Sequence, residues 1–268
     1  MRFDAVASFL ARDGLQPGCY DSPEFLEIEQ RLGDPRILED YAASVLTRPQ
    51  TPGEARRVRD VVEVVTKKLV EEAPYRDLLG GCQRMSLALV RMLERAGVWC
   101  FAVKGSARFD FDPRLGITPT FFYTRDVIDF PGGCAGHAWV VAPPFVVIDC
   151  TTRTQLWQHG EEAHVPSRVL VESATIVEPA LDLHTAPPLR AEYIAPQAIA
   201  GLREFWAWMR TVRVAVGPVR ITYQPGGIIL PPPTEPLEAL PLKIGGRQAA
   251  AFFDEAIAPS LRVPAGAA

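Results

Sequence analysis

Five cysteines and four histidines are spread along the 268-residue chain, and one of each stands where it could do chemistry. Cys82 follows Gly80 and Gly81 in LLGGCQRMSLALVRMLERAGV and opens an apolar helical pattern. A thiol on the first turn of a helix meets outward-pointing N–H groups and the positive end of the helix dipole, which favours the thiolate. His137 opens the strand-like run GHAWVV, and Asp149 closes the run FVVIDC. If these runs form a hairpin turning over Ala142, Pro143 and Pro144, His137 lies directly opposite Asp149, Cβ atoms ~5 Å apart. Trp139, Val141, Phe145 and Val147 then share that face. A slip by one residue would pair His137 with Cys150 and remove the arrangement. In the favourable register, Asp149 accepts a hydrogen bond from one imidazole nitrogen and leaves the other free to take a thiol proton. Those are the parts of a nucleophilic acyl-transfer site.

Competing readings use the same residues. Taken alone, Cys82 is more simply a buried, inert thiol. Cys134 and His137 form a C-x-x-H pair that, with Cys82 and Cys150, could hold zinc, but such sites use two close ligand pairs and only one is present. No metal and no cofactor are expected. Cys100 and Cys150 read as core residues on strands, and Cys19 sits in a turn without a motif. His159, His164 and His184 are expected at the surface. The cluster FWAWM, residues 205–209, reads as a core-packing helix, or alternatively as a groove wall.

Elements that would position these groups follow from periodicity and caps. SPEFLEIEQRL has a cap-like Ser22 with Pro23 at the first helical position, and Thr51, Pro52 and Glu54 form a capping box. Val58, Val61, Val62, Val65 and Leu69 make one apolar face of that second helix, ended by Pro74. The Cys82 helix buries Leu87, Leu89, Val90, Met92 and Leu93, with Gly97 as its terminator. VWCFAVKG reads as a strand, residues 105–120 as loop with a turn at DPRLG, and TFFYTRDVIDF as a further strand. RVLVESATIV is extended, AIAGLREFWAWMRTVR helical, VRITY a strand and RQAAAFFDEAIA a short helix. The proline-rich stretch 231–241 reads as a linker or surface strap outside the core.

Composition bounds the rest. A net charge of −4, from 28 basic and 32 acidic side chains mixed along the chain, gives no basic tract for nucleic acid. No apolar run approaches the ~20 residues that span a bilayer, and Asp4, Arg12 and Asp13 interrupt any secretory pattern at the N-terminus. No membrane partner, a cytoplasmic location and reduced thiols are therefore expected. The oligomeric state is not legible. The chain divides into a helical region 1–74, a core 75–225 and a proline-rich extension 226–268.

The order of a glycine-preceded Cys82 helix ending in RAGV, a strand ending in KG, then GHAWVV and VVIDCTT resembles the transglutaminase-like superfamily, a papain-related group. Its members carry a glycine-preceded cysteine, then HAWVE, then D-x-T on the next strand. Over residues 75–155 the resemblance puts Cys82, His137 and Asp149 on the catalytic positions, with Trp139 and Thr151 as companions. The segment C-x-x-x-S-L-A-L is also similar to that of bacterial leader-peptide peptidases of peptide-natural-product pathways. The fold implied is α+β: a papain/transglutaminase-like core whose Cys-bearing helix packs on an antiparallel sheet carrying His and Asp, with an N-terminal helical extension. The activity implied is thiol-dependent acyl transfer on amide bonds of a protein or peptide substrate, hydrolytic as a cysteine peptidase or protein glutamine deamidase. An amine-accepting transglutaminase and a non-catalytic binding module are the alternatives. Hydrolysis ranks first because no second substrate domain or D-x-D-x-D-G calcium loop is present. The sequence departs from the pattern after HAWV, where Val141, Ala142 and two prolines replace an acidic residue or glycine. VEEAPYRDLLGG also lacks the Gln or Trp that would help hold an oxyanion. Tyr75 and Gln83 are substitutes, beside the Cys82 backbone N–H.

Overall fold

A computed structural model describes residues 2–33, 36–73, 80–125, 136–157, 160–190 and 196–261. Five helices open the chain: α1 (Arg2–Leu10), α2 (Pro23–Leu32), α3 (Ile37–Thr47), α4 (Pro52–Glu72) and α5 (Cys82–Arg95). Their starts follow the local chemistry. Ser22 accepts from the Phe25 N–H to cap α2. At α4 both arms of the capping box form, with Glu54 N–H donating to Thr51 Oγ1 at 3.2 Å and Thr51 N–H to Glu54 Oε2 at 2.8 Å. Gly97 turns the chain out of α5 at φ 76°. Arg57 of α4 donates to the Ala96 and Gly97 carbonyls there, which α5 itself leaves unpaired.

The strands of the main sheet are β1 (Phe101–Phe111), β2 (Thr120–Phe122), β3 (His137–Ala142), β4 (Phe145–Asp149), β5 (Val169–Val171), β6 (Thr175–Ile176), β7 (Val212–Val216) and β8 (Val219–Ile229). They form one curled antiparallel sheet in the order β5-β4-β3-β1-β8-β7-β6, with β2 pairing to β1 beyond the end of β3. A separate two-stranded ribbon pairs Lys243–Ile244 with Arg247–Gln248. Helix α6 (Leu181–His184) and helix α7 (Pro196–Trp208) lie between β6 and β7 in the chain. The architecture is α+β.

Strand β1 runs further than expected, since residues 105–111 are strand and not loop. The signal was a period-two alternation: Ala107, Phe109 and Phe111 are buried, while Arg108 and Asp110 face outward and pair with each other. The apparent strand TFFYTRDVIDF contributes only Thr120–Phe122, and its residues 126–130 lie outside the described residues. Cys100 and Cys150 are buried, each one residue outside its strand.

Each face of the sheet buries its own core. One holds the valine stripe of α4, the apolar side of α5, and Ala102, Val140, Ala142 and Ile148 of the sheet. The other joins α1, α2, α3 and α7 to Phe101, Val103, Phe109, Trp139, Val141 and Tyr223. Helix α4 thus shares its core with the Cys82 helix, while α1–α3 pack on the opposite face, and β8 runs through the expected 225/226 boundary. The strap 231–241 was expected outside the core, and that is corrected: Leu237, Leu240 and neighbouring Leu242 bury against α4 and α5. Prolines keep the strap extended, and leucines placed between them still reach inward. Phe205, Trp206 and Met209 are core, with Trp206 Nε1–H donating to the Pro225 carbonyl at 2.6 Å.

The β1–β8 pairing shifts register between Lys104 and Gly105, and Gly105 also faces His137 of β3. A Cβ at Gly105 would lie 2.2 Å from the Gln224 carbonyl oxygen and 2.7 Å from the Trp139 ring. Neither neighbour is a free side-chain end. Gly105→Ala is accordingly expected to cost at least about 1–3 kcal/mol of folding stability, measured as a lower urea midpoint with an unchanged m-value.

Candidate functional site

Cys82 is the first residue of α5, preceded by Gly81, and no side chain caps the first turn. Gly80, at φ 67°, donates its N–H to the Thr154 carbonyl at 2.9 Å. That bond anchors the approach to Cys82 on the loop following Asp149. The thiol side chain is 5 % exposed.

His137 begins β3 after Gly136, whose φ is 97°. A Cβ on Gly136 would come within 2.6 Å of the Gly105 carbonyl oxygen, so the chain reaches His137 only through glycine. The imidazole sits among Phe109, Phe122, Trp139 and Tyr223, with ring centroids 6.0–6.4 Å away. Its Nε2 meets Asp149 Oδ2 at 2.6 Å. The other nitrogen, Nδ1, is buried and makes no hydrogen bond of ordinary geometry. Cys82 is the group that acts on the ring besides Asp149.

The hairpin reaches this geometry by a register other than the expected one. Its turn holds only Pro143 and Pro144, so Ala142 pairs with Phe145, and Val140 pairs with Ile148. Val141 therefore faces both Val146 and Val147, a bulge in β4. Continued to the end of β4, this register sets Trp139 opposite Asp149, and His137 becomes a diagonal neighbour. The displacement is two residues, so parity is kept, and diagonal partners on one face are within reach of long side chains. Phe145 is the residue that changes side, joining the α4/α5 core instead of the Trp139 face.

Asp149 is 1 % exposed and fully bonded. Oδ2 accepts from Tyr223 at 3.0 Å in addition to meeting His137, and Oδ1 accepts from the Thr151 N–H and hydroxyl, each at 2.8 Å. Burial would raise the carboxyl pKa, but the His137 charge and the hydrogen bonds from His137 and Thr151 lower it below its ordinary 3.8. Burial likewise opposes a charged His137. The Asp149 charge and hydrogen bond, with a further contribution from Cys82, overcome it and raise the imidazole to about 10. At neutral pH the pair is an imidazolium on a carboxylate.

A groove of about 440 Å³ opens beside the thiol, lined on the α5 side by Gly80, Gly81, Cys82, Gln83, Arg84 and Leu87. The strap supplies its other wall through Glu235, Leu240, Pro241 and Leu242. Arg91 of α5 holds the strap there, donating to the Pro231, Pro232 and Glu235 carbonyls. The same guanidinium pairs with Asp21 and with Glu94. Glu94 is pushed up to about 7, burial outweighing the lowering influence of the nearby Tyr20 hydroxyl and the Arg91 charge.

Cys82, His137 and Asp149 are thus brought together, with Thr151 and Trp139 beside them. Tyr75 and Cys134 lie outside the described residues. Among the described residues, no three His, Cys, Asp or Glu side chains could hold a metal ion, and Cys19, Cys82, Cys100 and Cys150 are free thiols. His184 was expected at the surface and is instead buried against Trp206. Burial and the Arg125 charge lower it to about 4, so it is neutral. Sequence reasoning missed Tyr223. Alternation in VRITY puts Ile221 and Tyr223 on one face, but nothing local says that this face meets Asp149. It also missed Gly105 and Gly136, which keep the approach to His137 open. Comparison with protein-family models, curated proteins and solved structures gave no match for this chain.

The pair sets a stability window. His137, raised from 6.5, contributes stability that is fully present below about pH 6.5 and is lost as pH rises through about 10. Asp149, lowered from 3.8, contributes above about pH 4 and loses its contribution as pH falls through its depressed folded value. Urea midpoints should therefore decline between about pH 6.5 and 10, and His137→Gln should flatten that limb. An equal decline in both proteins would contradict the imidazolium assignment. Tyr223→Phe, which removes one donor to a buried carboxylate, should cost about 1.5–3 kcal/mol in the same assay.

Proposed function

We propose that the protein catalyses thiol-dependent acyl transfer on amide bonds, with Cys82 as nucleophile, His137 as proton carrier and Asp149 as the group that orients and charges the imidazole. Hydrolysis is the favoured outcome, as a cysteine peptidase or a protein glutamine deamidase. The observation that supports this reading most is His137, held by Asp149 through Nε2 while its free Nδ1 lies on the side of the ring influenced by Cys82. The Cys-bearing helix on an antiparallel sheet carrying His and Asp also agrees with a papain/transglutaminase-like core.

The chemistry runs in two balanced halves. Cys82 Sγ, its proton passed to His137, adds to the amide carbonyl. The C–N bond breaks as His137 returns that proton to the leaving nitrogen, giving a thioester and an amine, or ammonia from a glutamine side chain. Water then adds to the thioester, losing a proton to His137, and the acid departs as the thiol is restored. Asp149 stays ionised throughout and keeps Nε2–H bonded, so that Nδ1 is the atom that carries protons. The uncapped first turn of α5 supplies backbone N–H groups near the developing oxyanion, Cys82 N–H among them.

Alkylation by iodoacetamide at pH 6 tests the reading directly. Cys82 should be modified far faster than Cys19, Cys100 and Cys150, whose thiols burial pushes upward, Cys19 to about 12. Equal, slow labelling of every cysteine would end the proposal. Asp149→Asn should slow Cys82 turnover of a cleaved amide by about 10²–10⁴-fold. A glutamine-containing peptide incubated with and without a primary amine separates the outcomes. A cut backbone means peptidase, ammonia release means deamidase, and incorporated amine means the transferase alternative.

A further inference from the structure

We infer that the groove between α5 and the C-terminal strap is the subsite that selects the substrate, and that it takes a large aliphatic or aromatic side chain of an extended peptide next to the reacting carbonyl. This deepens the acyl-transfer reading and rests on it.

Three observations carry the inference. The groove is continuous with Cys82, which is one of its lining residues, so whatever fills it lies against the residue that carries the thiol. Its apolar lining, Leu87, Leu240 and Leu242, is under 10 % exposed at each residue and part of the α4/α5 core, so that lining is fixed in shape. Its volume, about 440 Å³, exceeds what one bulky side chain occupies and leaves room for the peptide backbone that carries it.

The rim adds chemical selectivity. Arg84 on the helix wall and Glu235 on the strap wall make no side-chain hydrogen bond or ion pair among the described residues. One free cation and one free anion on facing walls complement a peptide group, whose C=O accepts from Arg84 while its N–H donates to Glu235. A charged side chain entering the groove would gain from one wall and lose to the other, and would give up its hydration over three leucines. An apolar side chain meets no such penalty. Arg91 is a positioning residue here, because it holds the strap wall by three backbone carbonyls and does not itself line the groove.

Peptidyl chloromethyl ketones read the subsite without a known substrate. Acetyl-glycyl, acetyl-leucyl, acetyl-phenylalanyl, acetyl-aspartyl and acetyl-lysyl chloromethyl ketones would be reacted with the protein, and the rate at Cys82 followed by peptide mass analysis. Iodoacetamide serves as the reference that needs no subsite. The leucyl and phenylalanyl reagents should exceed the glycyl, aspartyl and lysyl ones by about tenfold or more, the size expected from burying one such side chain. Glu235→Lys makes both walls positive, so it should raise the aspartyl-to-leucyl ratio severalfold. Fast iodoacetamide labelling of Cys82 with equal rates for all five ketones would overturn the subsite and leave the thiol chemistry standing. Slow iodoacetamide labelling would overturn both. A preference for the aspartyl or lysyl reagent in the unaltered protein would overturn the apolar assignment, whatever the variants do.

Discussion

An ionised carboxylate sealed from water is costly unless every lone pair is engaged, and at Asp149 that requirement draws in several parts of the chain. His137 comes from the first strand of the hairpin, Thr151 from the loop that follows it, and Tyr223 from a strand 74 residues further on. Removing any donor leaves a buried charge short of partners. The carboxylate therefore fixes the relative placement of β3, β4 and β8 at one end of the sheet. The imidazolium it supports is the reason a histidine surrounded by aromatic rings stays charged.

The candidate site lies where two cores meet. Aromatic residues on the Tyr223 face hold His137 and Asp149, whereas Cys82 belongs to the helix that packs with α4 on the other face. A sheet separates those faces everywhere except at its ends. Gly105 and Gly136 stand at this end because the backbone there must pass without side chains in the way. Gly105 and Gly136 have backbone atoms within about 3 Å of where a Cβ would stand. The loop from Thr151 to Trp157 closes the arrangement, bonding Gly80 through Thr154 and packing Trp157 on Phe109 and Phe122.

Arg91 plays a parallel part on the far side of α5. A single guanidinium reaches Asp21 near the N-terminus, Glu94 on its own helix and three carbonyls of the proline-rich strap. Prolines in that strap cannot donate backbone N–H bonds, but their carbonyls accept, and a fork-shaped donor suits them. The strap thereby becomes a fixed wall of the groove beside Cys82. The groove is built from two segments, residues 80–87 and 235–242, that are separated by about 150 residues of chain.

Local rules of the chain decided the caps of α2 and α4, the apolar faces of α4 and α5, the position of Cys82 on a first turn and the pairing of the His137 and Asp149 strands. Each depends on residues a few positions apart, so spacing alone expresses it. Parity in the hairpin was also local, which is why an incorrect register still set His137 and Asp149 on one face. The bulge at Val146 and Val147 puts both valines on the Trp139 face while Phe145 and Ile148 enter the α4/α5 core, a division set by what lies above and below the sheet. Tyr223 as a donor to Asp149, the burial of His184, the strap leucines in the core and the meeting of Cys82 with His137 were fixed only by the tertiary structure. All four join segments distant in sequence, and such contacts exist only once the sheet has curled and both faces have been covered.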